Sequence, residues 1–220
     1  MKQLSAVVVE PNVTPTASVI WLHGLGSNGH DFEALLPELG LPEDAPIRFI
    51  FPHSPSIPVT INGGMVMPAW YDILSMGAGR TINEVQLLAS SDQVAALIDQ
   101  EREKGIASDR ILLVGFSQGG AVAYHTALTY PHPLAGLLAL STYFPTADGM
   151  TVSAANHALP IEIMHGRFDP VVYLPLAKSA YTALQQLGLS PNWREYNMEH
   201  QVCYPQITDM SAWIRHILSV

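Results

Sequence analysis

The chain has 220 residues, 48% of them apolar and 13% charged, enough to bury well over half of its unfolded surface in one compact unit. Its 19 acidic against 10 basic residues leave a net charge of −9, which excludes nucleic acid and anionic membrane as standing partners, because both reward clustered Lys and Arg. A single cysteine, Cys203, excludes an internal disulfide framework; Met1 to Ser5 lacks a leader's apolar core and no run of about 18 apolar residues could span a bilayer, so a cytoplasmic protein without integral membrane association is expected.

In chain order, strand-like runs fall at 4–9, 17–22 and 47–51, with a helical pattern at 31–39. Residues 52–81 are rich in Pro and Gly and show no periodicity, yet carry Trp70, Tyr71, Ile73, Leu74 and Met76, a cluster too apolar for a solvated loop. Beyond them come a helix at 84–104, a strand at 111–114, a helix at 121–130 and strands at 135–140 and 161–164. A helix at 176–187, a strand at 193–196 and a helix at 207–218 complete the chain. Continuous apolar strands interleaved with helices predict an α/β fold: a mainly parallel sheet of about seven strands with helices on both faces. No repeat, low-complexity tract or linker divides it, so 1–220 reads as one domain with a flap-like insertion at about 52–81. In such a sheet functional side chains gather at the carboxyl edge.

Gly115-Phe116-Ser117-Gln118-Gly119 lies between the strand at 111–114 and the helix at 121–130, the context of a nucleophile elbow. The flanking glycines permit the tight turn, and the helix N-terminus favours a developing oxyanion. A triad on this scaffold places its acid and then its base after the serine. Among the later histidines, His216 points away from the apolar stripe Ile207, Met210, Ile214 and Ile217, as a solvated helix residue does. His200 follows the strand at 193–196 and precedes the last helix, where a loop would carry it over the sheet edge. Of the carboxylates between Ser117 and His200, Glu162 and Glu195 lie inside strands and Glu199 adjoins the base. Asp169 follows the apolar run 161–164 at a strand's carboxyl end; Asp148, in a turn-like Ala-Asp-Gly, is the alternative. Backbone N–H groups of Gln118, after the serine, and Leu25, in His23-Gly24-Leu25-Gly26, are the expected oxyanion donors, with His23 bracing that loop.

These residues together resemble the bacterial carboxylesterase and acyl-protein thioesterase family of α/β-hydrolases, also called the phospholipase/carboxylesterase family, over nearly the whole chain. The resemblance rests on Leu22 to Gly26, Val59-Thr60 with Asn62-Gly63-Gly64, Met67 to Asp72, Gly115 to Gly120, Ala139-Leu140-Ser141, His165-Gly166 with Asp169-Pro170, and His200. It implies Ser117 as nucleophile, Asp169 as acid, His200 as base, and Leu25 and Gln118 as oxyanion donors. Glu199 is a departure, since many bacterial relatives carry glycine before the base; a carboxylate approaching the imidazole would favour its charged form.

The expected activity is hydrolysis of esters or thioesters with short-to-medium acyl chains, on small molecules or acylated proteins. The flap would line an acyl groove through Trp70, Ile73, Leu74 and Met76, faced by Val171 and Val172; for Trp70 a place in the core is an equal alternative. Neither metal nor organic cofactor is expected, as no H-E-x-x-H or Cys/His cluster is present. Low charge and the apolar loop favour self-association, and the resemblance implies a homodimer. Two alternatives remain: a lysophospholipase or dienelactone-type hydrolase, and an acyl-ligand-binding protein of this fold with impaired catalysis.

Overall fold

The computed structural model describes residues 4–76 and 80–220. Strands β1 (Ala6–Val9) and β2 (Ala17–Leu22) precede two short helices, α1 (Gly29–Glu33) and α2 (Leu36–Leu39), and β3 (Ile47–Pro52). Two small antiparallel pairs follow, β4 (Ser56–Val59) with β5 (Met65–Pro68) and β6 (Ile73–Ser75) with β7 (Thr81–Ile82). The remainder alternates: α3 (Glu84–Glu103), β8 (Ile111–Phe116), α4 (Gln118–Thr129), β9 (Gly136–Leu140), β10 (Ile161–Gly166), α5 (Leu174–Gln186), β11 (Asn192–Tyr196) and α6 (Tyr204–Leu218). The central sheet has seven strands in the order β1-β3-β2-β8-β9-β10-β11, and only β1 runs antiparallel to its neighbour.

Successive side chains of a strand face opposite sides, and the central strands divide accordingly. Ile20, Leu22 and Leu113 pack with Leu87, Val94 and Ile98 of α3 and the small residues of α4. Val19, Trp21, Leu112 and Val114 face the other way, against Phe32 of α1 and Met210, Trp213 and Ile214 of α6. Strands covered on both faces have no polar face to display, hence their unbroken apolar runs.

The helix expected at 31–39 starts earlier and breaks. Asn28 caps α1 by accepting from the His30 N–H at 2.9 Å. Pro37, in the first turn of α2, has no N–H to continue the ladder from α1, so the chain restarts there. The insertion also differs from expectation: the β4–β5 hairpin and the β6–β7 pair order most of it. Thr60 donates to Asp72 through its N–H at 2.7 Å and its hydroxyl at 2.6 Å, tying the hairpin turn to the next segment. Strands of two to four residues are too short to show a period, which is why this order was invisible in sequence. Residues 77–79 of the expected flap lie outside the described residues. Among the described residues no helix is long and apolar enough to cross a membrane.

Candidate active site

Ser117 sits between β8 and α4 with φ 54° and ψ −120°, a conformation L-residues rarely adopt. Its surroundings hold it there: the Ser117 N–H donates to the Leu140 carbonyl at 2.9 Å, and the Thr142 hydroxyl donates to the Ser117 carbonyl at 2.6 Å. A Cβ at position 119 would lie 2.5 Å from the His23 carbonyl oxygen, so only glycine lets α4 dock against the loop after β2.

Three side chains from separate loops meet at the sheet's carboxyl edge. His200 Nε2 lies 2.9 Å from Ser117 Oγ, and His200 Nδ1 lies 2.7 Å from Asp169 Oδ2. The remaining Asp169 oxygen, Oδ1, accepts the backbone N–H groups of Val171 and Val172, each at 2.8 Å. The two loops are joined directly, since Arg167 N–H donates to the Tyr196 carbonyl at 2.9 Å and Phe168 N–H to the Met198 carbonyl at 3.1 Å. Gly166 permits this approach, because a Cβ there would stand 2.5 Å from the carbonyl oxygens of both Met198 and Glu199. Burial alone would raise the Asp169 pKa; the His200 hydrogen bond and charge, with the two N–H donors, outweigh it and hold the carboxyl below the usual range.

Among the described residues, neither the Leu25 nor the Gln118 backbone N–H donates to a protein acceptor, leaving both available at the elbow. The Gln118 side chain clamps the insertion: its Oε1 accepts the Trp70 N–H at 2.9 Å and its Nε2 donates to the Tyr71 carbonyl at 2.6 Å. Asp148 borders a separate cavity and is not paired with His200. Glu199 is exposed, and His200's ion pair is with Asp169, so the close approach of Glu199 to the ring is not found. Cys203 is half-buried ahead of α6.

A depression of about 390 Å³ opens beside Ser117, walled by Leu25, Phe32, Phe116, Val171 and Val202. The residues expected to line an acyl groove lie elsewhere, Val171 excepted. Trp70, Ile73 and Val172 are 1%, 3% and 0% exposed and belong to the core, while Leu74 and Met76 are 44% and 48% exposed. Trp70 is held there by hydrogen bonds, its Nε1–H donating to the His23 carbonyl at 2.8 Å. Apolar character marked these side chains as buried in something; only packing decides whether that is the core or a ligand wall. Phe116, inside the elbow motif, and Val202, two residues after His200, were legible as neighbours of the site but carried no chemical signal. A larger cavity, about 750 Å³ between α5 and the 143–148 loop, shares no lining residue with this depression.

Two further histidines brace the edge. His23 Nδ1–H donates to the Gly24 carbonyl at 2.8 Å and its Nε2 accepts the Ser54 N–H at 3.1 Å, as expected of a bracing residue. His165 Nε2–H donates to the Val172 carbonyl at 2.9 Å behind the Asp169 loop. Burial pushes both imidazoles below the ordinary 6.5. The unfolded chain then binds more protons than the folded one below that value, so stability is complete above it and falls on acidification. Asp169, held below its ordinary 3.8, stays charged over this range. Between pH 7.5 and 5 the melting midpoint is expected to drop by a few degrees, at about 2–4 °C per kcal/mol for a chain this size. A midpoint constant across that interval in calorimetry would contradict the neutral assignments.

The profile of the phospholipase/carboxylesterase family matches residues 4–218. The chain is 42% identical over 172 residues to acyl-protein thioesterase 1 of Schizosaccharomyces pombe, covering 77% of this chain and 76% of that relative. Among solved structures, Arabidopsis thaliana SOBER1 superposes with a TM-score of 0.87 at 29% identity, covering 92% of this chain and 99% of that one. Zea mays acyl-protein thioesterase 2 does so with a TM-score of 0.84 at 27% identity, over 97% and 99% of the two chains. The chain therefore belongs to the phospholipase/carboxylesterase family and is an ester-hydrolysing enzyme of the α/β-hydrolase fold.

Proposed function

We propose that this enzyme cleaves carboxylic esters and thioesters of short-to-medium acyl chains, acylated proteins among them, through an acyl-enzyme formed on Ser117. The observation that carries the reading is the continuous relay from Ser117 Oγ to His200 at 2.9 Å and from His200 to Asp169 at 2.7 Å. His200 takes the serine proton as Oγ attacks the carbonyl, and Asp169 holds the ring and stabilises the imidazolium. The Leu25 and Gln118 N–H groups receive the oxyanion, each such preset donor contributing about 3 kcal/mol. His200 then protonates the leaving group and activates the water that releases the acid.

Each buried CH₂ adds about 0.8 kcal/mol, so specificity rises with acyl length until the apolar wall on the acyl side of Ser117 is covered. Incubation with a fluorophosphonate followed by peptide mass mapping is expected to place the label on Ser117. In a p-nitrophenyl ester series from acetyl to dodecanoyl, kcat/KM is expected to peak at medium chains. Absence of both label and turnover in the folded protein would instead favour the acyl-ligand-binding alternative.

A further inference from the structure

We propose that the Ser27–Asp31 end of the depression is a leaving-group subsite that selects substrates whose leaving group carries a positive charge. The inference rests on the roles given above to Ser117 and His200. To protonate the departing oxygen or sulfur, His200 must have it within hydrogen-bond reach, which puts the leaving group on the His200 side of Ser117. From there a ladder of rings leads outward. The His200 and Phe116 centroids are 4.8 Å apart, those of Phe116 and Phe32 5.6 Å, and Asp31 precedes Phe32 on α1.

Among the described residues, Asp31 is the only carboxylate lining the depression and no Lys or Arg lines it. Its side-chain partner is the neutral Ser27 hydroxyl, and among the described residues it forms no ion pair. The neighbouring His30 is committed to Glu33 at 2.7 Å. A carboxylate with no cationic partner, lining the depression that the leaving group enters, attracts a cation through its Coulomb field and repels an anionic leaving group. Asp31 is exposed, so the preference must weaken with salt.

The test compares hexanoylcholine with 3,3-dimethylbutyl hexanoate, which has the same shape with carbon in place of the quaternary nitrogen. A parallel arm compares S-hexanoyl cysteine peptides carrying Lys or Glu beside the acylated residue. In the native enzyme at low salt the cationic member of a pair is expected to have a kcat/KM about fivefold higher or more. That ratio should approach one in Asp31→Asn and shrink in 0.5 M NaCl. A preference in the choline arm alone identifies an alkylammonium leaving group, and one in the peptide arm alone a basic peptide. Ratios near one in both arms, or a ratio that neither Asp31→Asn nor salt alters, would overturn the subsite. The salt dependence of the native enzyme decides the question even if the variant fails to fold. Failure to hydrolyse any of the four substrates would count against the hydrolase reading itself.

Discussion

Ser117→Ala is expected to lower kcat on p-nitrophenyl butyrate by on the order of 10⁴- to 10⁶-fold while leaving the melting midpoint within a few degrees of the native protein. Alanine keeps the Cβ already accommodated at φ 54°, so the strain of the elbow is unchanged. What is lost is Oγ, which lies 2.9 Å from His200 and is not needed by any backbone group of the turn. The Leu140 and Thr142 contacts that pin residue 117 use its main chain and survive the substitution. A folded variant with more than about a tenth of native activity would mean that another group attacks the carbonyl, and the assignment of Ser117 would fall.

The second large effect is on stability. Trp70→Ala is expected to destabilise the fold by about 3–5 kcal/mol, the usual cost of truncating a buried aromatic, out of a total stability of about 5–15 kcal/mol. The ring is 1% exposed, stands 5.2 Å from the His23 ring and satisfies the His23 carbonyl at 2.8 Å; its removal leaves a cavity and an unpaired acceptor. For a chain this long the midpoint should fall by about 6 to 20 °C. Because Trp70 links the insertion to the loop bearing Leu25, activity should decline for all chain lengths together. A variant of native stability with a shifted chain-length optimum would instead make Trp70 a wall of the acyl site.

The contrast between Trp70 and Ser117 shows which parts of the site were legible. Ser117, Asp169 and His200 are polar residues at particular places relative to strands, and each strand was readable as a buried apolar run. Chain order and strand ends therefore sufficed to bring the three together. Asp148 and Glu199 carry the same functional group, and it is their position against β10 and the sheet edge that separates them from Asp169. Trp70, Ile73 and Val172 are apolar, and an apolar side chain is equally at home in a core or against an acyl chain. Nothing in its identity says which.

By itself the sequence pointed to an α/β fold with a mainly parallel sheet of about seven strands, the places of those strands along the chain and the three residues of the proposed relay, because hydrophobic period and the chemistry of Ser, His and Asp are local properties. It located the loops of Leu25 and Gln118 for the same reason. Only the tertiary structure decided that short strand pairs between residues 56 and 82 order the insertion, clamped by Gln118, that Glu199 stays apart from the imidazole, and that Phe32, Phe116 and Val202 join Val171 in walling the depression. These depend on contacts between segments distant in the chain, where side-chain direction and close packing, rather than residue type, select the neighbour.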